Sequence, residues 1–356
     1  MRTPNESRSR HARIMFWSIV AILCGSTVLP LSGYVYVGVV SDTRAQSAAQ
    51  SETNPRANYW RAVREGNEGY VSSSGPYTTS TLVANGGQNW RQIRNGPIAT
   101  YGPWVLAVML LAIVLFHLAT RGGVKLDQAR SGKTVLRWTL FERTLHWFTA
   151  ILFIILAITG LSLLFGRAVL IPVLGSAGFG VWATIAMNAH NFLGPIFMVG
   201  ILVEIVLWIR HNIPNAADMK WFAQGGGLVG KGHPSAGRLN GGEKVWFWII
   251  ATVGVLVIVT GLVLDFPNFG FTREGMQLAN ILHAVGGIIW IAVALGHIYI
   301  GTLGTEGSLE AMTTGRVSAE WAKQHHDLWY EEVKNTAEKT ETEEKRAAGA
   351  VKPEAG

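Results

Sequence analysis

Four histidines stand inside apolar runs of this 356-residue chain: His146, His190, His283 and His297. An imidazole in hydrocarbon is costly to keep, and such rings usually mark a functional site. A neutral ring can ligate a metal, hold a haem iron from one axial side, or pass protons. His283 and His297 share the run "NILHAVGGIIWIAVALGHIYIG" and lie fourteen residues apart. That interval is just short of four helical turns, so both project from one helix face, roughly 21 Å apart along the axis.

The elements that must carry these rings follow from composition. The chain is 49% hydrophobic and only 15% charged, with fourteen Trp, which points to an integral membrane protein. The net charge of +7 is spread between apolar runs rather than gathered in one patch, so a nucleic-acid partner is not expected. Cys24 is the single cysteine. One thiol makes no iron–sulfur cluster, no intrachain disulfide and no covalent haem attachment.

Six runs are long enough to cross a bilayer: Phe16–Val40, Pro103–Thr120, Leu140–Phe165, Val181–Ile209, Val245–Phe266 and Leu278–Leu303. Basic residues orient them. Arg2, Arg8, Arg10 and Arg13 precede the first. Arg121, Lys125, Arg130, Lys133 and Arg137 follow the second, and Arg210, Lys220, Lys231, Arg238 and Lys244 follow the fourth. The short connections after Phe165 and Phe266 carry only Arg167, and Arg273 beside Glu274. The positive-inside rule then puts the N-terminus, both basic loops and the C-terminal tail in the cytoplasm.

The first run also fits a secretory signal peptide ending near Ser47-Ala48-Ala49, although its length and Pro30 favour a retained helix. The expected organisation is a helix or signal peptide over 1–40, a translocated segment over 41–101 and an additional transmembrane helix over 102–120. A cytoplasmic loop over 121–139, a four-helix core over 140–305 and a cytoplasmic tail over 306–356 complete it. The expected fold is therefore an all-α membrane bundle of four helices preceded by one or two more.

This orientation sorts the histidines by depth. His146 begins a helix that starts inside, and His190 lies early in one that starts outside. Two levels result: His190 with His283 near the outer face, and His146 with His297 near the inner face. Each level holds one imidazole from each of two helices, as bis-histidine ligation of a b-type haem requires. Zinc wants four close ligands with thiolate or carboxylate help, which two separated pairs do not offer.

The remaining candidates carry duller readings beside sharper ones. Glu204 follows His190 by the same fourteen residues and faces the same interior near the inner level. It is either a proton relay or a carboxyl bonded to a neighbouring helix or to water. His117 suits a helix end and lacks a partner for a third haem. His211 reads as a cap, and His11, His233, His325 and His326 as surface residues. An internal echo pairs "TGLSLLF" with "TGLVLDF", and Gly194 and Gly287 each follow a histidine by four residues. A glycine one turn from a histidine leaves a flat face on which a large planar group can lie.

Across residues 135–333, "ERTLHWFTAILFIILAITG", "NAHNFLGPIF", "RHNIPNAADMKWF", "RLNGGEKVWFW" and "GSLEAMTTGRVSAEWAKQHHDLWY" resemble the gamma, cytochrome b subunit of membrane-bound formate dehydrogenase. The histidines alone are shared with cytochrome b subunits of hydrogenases, and residues 1–134 look like an added N-terminal region of longer forms. The resemblance implies two haems b, on His190 with His283 and on His146 with His297. It also implies a quinone, menaquinone or ubiquinone, near His297, Asn240 and Gly242. Here "LNGG" stands where the family has Tyr-Asn-Ala-Gly, so the pocket wall differs. Asn240 alone reads equally as a helix cap backed by Glu243. Implied partners are an iron–sulfur beta subunit and a molybdenum or tungsten catalytic alpha subunit, with a trimer of complexes suggested. The chain itself has no motif for formate oxidation. A cytochrome b serving a hydrogenase or thiosulfate reductase, and a haem-free transporter or scaffold, are the competing readings.

Overall fold

The computed structural model describes residues 85–227 and 232–339, together with 61, 64 and 65. The expected first span, Phe16–Val40, and most of the translocated segment lie outside the described residues, as does the chain beyond 339. Among the described residues, five helices are long and apolar enough to cross a membrane. They are α1 (Asn89–Ala119), α2 (Leu140–Val169), α3 (Ile171–His211), α5 (Gly241–Asp265) and α6 (Arg273–Gly304). The short α4 (Ala216–Ala223) sits in the connection after α3. After α6 come α7 (Ser308–Thr313), α8 (Ala319–His325) and α9 (Asp327–Val333).

Helix starts are written in the sequence. Thr139 and Glu142 form a capping box ahead of α2: the Thr139 hydroxyl accepts from the Glu142 N–H, and the Glu142 carboxylate accepts from the Thr139 N–H at 2.8 Å. Asn215 with Asp218 starts α4 in the same way, and Asn240 with Glu243 starts α5. Thr272 caps α6 by accepting from the Gly275 N–H at 3.1 Å.

Two helices run further than expected. The first described span begins at Asn89 rather than at Pro103, because Pro97 is absorbed in a π-helical turn, Arg94–Ile98. A π turn already breaks the regular ladder, so the missing proline N–H costs little there. The Trp90 indole N–H donates to Asn280 Oδ1 at 3.2 Å and fixes this extension to α6. Helical structure in α3 begins at Ile171 rather than Val181, with Gly175 at φ 68° inside it. Only glycine takes that backbone freely, so the residues before it form a turn leading into the span.

α2 packs on α3 and α5 on α6, and α1 lies against α6. Gly102 permits that last approach, since a Cβ there would stand 2.7 Å from Ile288 Cδ1. Leu106 of α1, Leu161 and Phe165 of α2, and Ile288 and Ile291 of α6 form one buried cluster. Between helices in lipid such contacts gain by close fit rather than by water exclusion. Outward-facing Val108, Leu111, Leu118, Ile151, Phe192 and Val206 stay exposed, as a lipid-facing surface does.

The chain closes one end of the bundle with a water-type core. A three-stranded antiparallel sheet places β1 (Lys133–Leu136) between β2 (Arg316–Ser318) and β3 (Glu338–Lys339), with Val135 opposite Val317. Val135 and Val317 are fully buried with Trp138, Leu239, Trp321 and Trp329. Burying each such valine contributes about 1.5 kcal/mol or more. The loop after α1 is tied to the end of α6: the Val124 N–H donates to Gly304 O at 2.8 Å, and the Glu306 N–H to Val124 O at 2.9 Å.

This cap corrects the reading of His326 as a surface residue. It is 1% exposed; its Nδ1–H donates to Gly237 O at 2.8 Å, and its Nε2 accepts from Arg137 at 3.2 Å. His325 is partly buried against Trp321. His233 is exposed and pairs with Asp127 at 2.8 Å. His117 meets the Tyr299 hydroxyl at 3.1 Å, which ties α1 to α6. At the end of α3, His211 Nε2 accepts from Arg210 Nε at 3.1 Å.

Candidate functional site

Helices α2, α3, α5 and α6 enclose two cavities, one above the other. The cavity nearer the cap holds about 320 Å³ and is bordered by His146, Glu204 and His297. The other holds about 460 Å³ and is bordered by His190 and His283. Both volumes lie in the range of cofactor pockets rather than of single waters. Phe153, Phe197 and Trp290 border both cavities and pack on one another, with Trp290 5.2 Å from Phe153 and 5.5 Å from Phe197 between ring centres. They form an aromatic wall between the two levels.

Each cavity brings two histidines from different helices together across it, with their rings at 78° for His190–His283 and 58° for His146–His297. The ring centres of His190 and His283 are 6.0 Å apart, and those of His146 and His297 are 6.3 Å apart. A direct N–H···N bond between imidazoles would bring the centres to about 5.2 Å, from an N···N distance near 2.9 Å. Stacking would bring them closer still, as His297 on Trp246 shows at 4.6 Å. Two imidazole–metal bonds of about 2.0 Å each, added to the ring radii, give about 6.3 Å. Both pairs have the separation of axial ligands on a shared iron. Among the described residues no group of three or more His, Cys, Asp or Glu could hold a metal ion, which disfavours a zinc cluster as the use of these rings.

The hydrogen bonds of the His190–His283 pair engage Nδ1 of each ring. Thr159 donates its hydroxyl to Ile155 O at 2.8 Å, so its oxygen accepts from His190 Nδ1–H at 2.9 Å. His283 Nδ1–H donates to Val257 O at 2.9 Å, with Thr260 Oγ1 at 3.4 Å. An occupied Nδ1–H leaves the Nε2 lone pair free, the tautomer that a metal ligand needs. At the other level His297 lies flat on Trp246, and His146 Nδ1 is buried with no partner among the described residues.

The sequence echo acquires a purpose here. Thr159-Gly160 of α2 faces His190, and Thr260-Gly261 of α5 faces His283. A Cβ at Gly160 would stand 3.1 Å from His190 Cε1, and one at Gly261 3.1 Å from His283 Cε1. Each threonine meets its ring at Nδ1 and each glycine makes room for the ring. These four residues, and the aromatic wall, were not among the sequence-derived site residues. The repeated T-G-L and the place of Trp290, seven residues from both His283 and His297, were the available signals.

Every one of the four histidines is followed, four residues on, by a residue without a side chain beyond Cβ: Ala150, Gly194, Gly287 and Gly301. All four border the cavities. A Cβ built on Gly194, Gly287 or Gly301 would meet nothing within 4 Å. The cavities thus keep room beside each histidine, as a broad planar group would need.

Glu204 is 5% exposed and stands 2.6 Å from Thr149 Oγ1, one turn beyond His146 on α2. Asn240 and Gly242 stand apart from the ring pairs. Neither borders a cavity; Asn240 Oδ1 accepts from the Glu243 N–H at 3.0 Å, and a Cβ on Gly242 would meet Trp221 at 3.1 Å. The capping role of Asn240 is therefore present, and its Glu243 borders the His146–His297 cavity.

Comparisons agree with this geometry. Residues 137–315 match the family described as prokaryotic cytochrome b561. The chain is 32% identical over 218 residues to the cytochrome b556(Fdn) subunit of nitrate-inducible formate dehydrogenase from Escherichia coli K12, covering 60% of this chain and 97% of that one. It is 32% identical over 210 residues to the formate dehydrogenase cytochrome b556(fdo) subunit of the same organism, covering 58% and 96%. Against the formate dehydrogenase cytochrome b556 subunit of Haemophilus influenzae the identity is 30% over 205 residues, covering 56% and 83%. The spanning helices are thus those of a multi-pass membrane cytochrome b, and the chain belongs to the prokaryotic cytochrome b561 family, which implies haem b.

Proposed function

We propose that this chain is the membrane-anchoring dihaem cytochrome b subunit of a formate dehydrogenase complex, passing electrons from an iron–sulfur subunit to membrane quinone. The observation that carries the reading is the pair of cavities, each crossed by two histidines at the axial-ligand separation. The relatives named as formate dehydrogenase subunits supply the donor. Nothing in the chain oxidises formate, so a molybdenum or tungsten catalytic subunit and an iron–sulfur subunit are its partners. The basic loops support an orientation with the capped end and the C-terminus in the cytoplasm, within a bacterial inner membrane.

Haem b, when bound, supplies a one-electron iron couple at each level. The chain's residues do the rest. His190 and His283 hold the outer group, with Thr159 and Val257 O fixing the ring tautomers. His146 and His297 hold the inner group. The wall of Phe153, Phe197 and Trp290 excludes water between the levels. A quinone, menaquinone or ubiquinone, would lie near Asn240 and Gly242 at the start of α5 as the resemblance implies, although neither residue lines the two cavities. Glu204 with Thr149 stands on the inner cavity, where a carboxyl can carry a proton toward that quinone.

The test is reduction of the b-type bands in the purified complex. Formate should reduce both, and added quinone should reoxidise them. Reduction by hydrogen but not by formate would overturn the donor and assign the chain to a hydrogenase complex.

A further inference from the structure

Arg137 is the best-enclosed charge in the described structure. Its side chain is 1% exposed and packed within 6 Å of the rings of Trp138, Trp321 and Trp329. Nη2 donates to Glu243 Oε1 at 2.8 Å and to His326 Nε2 at 3.2 Å. His326 is a fixed acceptor there, because its Nδ1–H is committed to Gly237 O. Nη1 is buried and has no partner among the described residues. Trp321 Nε1–H, on the same wall, is also buried without a partner. Both residues border the His146–His297 cavity.

Two orphan donors, one of them a full cation, belong to residues that line one cavity. Buried polar groups are rarely left unpaired in native proteins, and a charged donor least of all. What they lack is an oxygen acceptor supplied by the cavity's occupant. A guanidinium fork held flat by indoles is the geometry that receives a carboxylate. The Arg137–Glu243 ion pair does not meet this need, because Glu243 engages Nη2 and is itself shared with the α5 cap through Asn240.

We infer that Arg137 Nη1 and Trp321 Nε1 form a carboxylate clamp for a propionate of the haem held by His146 and His297. This rests on the dihaem reading above and adds residues that the resemblance does not assign. One orphan acceptor, Asn212 Oδ1, also borders this cavity and would repel a carboxylate. A neutral quinone carbonyl is the other oxygen that could meet the same donors, and the test separates the two.

The experiment uses the purified complex with Arg137→Gln, Arg137→Lys and Trp321→Phe. Three readings are taken: haem per chain, midpoint potentials of the two haems, and the resonance Raman propionate-bending mode, which reports hydrogen bonding to the carboxylate. The expected result is that Arg137→Gln lowers the potential of one haem only and shifts its propionate mode. That haem should also leave roughly tenfold faster on detergent dilution, as for other outer-sphere partners. Trp321→Phe, which keeps the packing, should shift the mode with a smaller change in potential, and Arg137→Lys should fall between. Unchanged potentials and propionate modes, with only quinone affinity weakened, would overturn the clamp and give the donors to the quinone. A wild type holding no haem at this level would instead remove the dihaem reading itself.

Discussion

Replacing Gly160 or Gly261 by alanine probes the ligand geometry with a single methyl group. The new Cβ would stand 3.1 Å from His190 Cε1 in one case and from His283 Cε1 in the other. Carbon atoms rest at about 3.5–4.0 Å, so each ring must retreat by about half an ångström. His190 and His283 cannot slide freely, because Nδ1 of each is held at 2.9 Å by Thr159 or by Val257 O. The strain falls on Nε2, the atom that must reach the iron. Overpacking of this kind costs about 1–3 kcal/mol, or about 5- to 150-fold in affinity. Both substitutions act on the same haem, so each should weaken one of two b-type centres and leave the other at full occupancy. Haem per chain by the pyridine haemochrome, followed through detergent dilution, measures this. Gly287→Ala is the informative companion: its methyl meets no protein atom within 4 Å, so any loss of haem reports the group filling the cavity. If Gly160→Ala and Gly261→Ala both hold two haems as tightly as the wild type, the Thr-Gly pairs do not position the ligands.

Three further outcomes follow from other parts of the structure. Glu204→Gln should leave both haems in place and slow quinone reduction about 100-fold or more, in the range of lost general acid–base groups; stopped-flow reoxidation by quinone reads it. Trp290→Ala removes the centre of the aromatic wall and should cost about 3–5 kcal/mol, seen as a lower midpoint in thermal unfolding of the purified complex. The cap should loosen in acid. Burial, and then the Arg137 guanidinium, hold His326 well below the ordinary imidazole range, and burial followed by His233 brings His325 down to about 4. Because the unfolded rings protonate near 6.5, the unfolded cap takes up more protons as pH falls through 6.5, and stability drains away from there toward pH 4, by about 1.4 kcal/mol per ring per pH unit. Hydrogen-exchange protection over 308–339, after correction for the slower intrinsic exchange in acid, should therefore fall below pH 6, and protection unchanged from pH 7 to 5 would refute it.

Much of this was written plainly in the sequence, for identifiable reasons. Five of the expected spans follow from apolar length, as the described helices show. The pairing of His283 with His297 on one face follows from helical period alone, and the partners at each level follow from orientation. What stayed hidden depends on contacts far apart in the chain. The T-G-L echo was visible, but only the packing of α2 against α3 and of α5 against α6 shows each pair seated on a histidine. His326 reads as polar tail, because nothing local announces that Gly237 and Arg137 will enclose it. The cap sheet is too short for an alternating pattern: β1 has four residues and β2 three. The early start of α1 was masked by Gly96-Pro97, which in most settings ends a helix and here sits in a π turn. Asn240 carried two readings, and the cap is the one whose bonds are present.

The measurement closest to the central claim is haem per chain in the wild type, His190→Ala, His297→Ala and the double variant. The account predicts two b-type haems in the wild type, one in each single variant, with different spectra, and none in the double. A folded, membrane-inserted wild type without haem, or single variants that lose both haems or neither, would contradict the two-level ligand map.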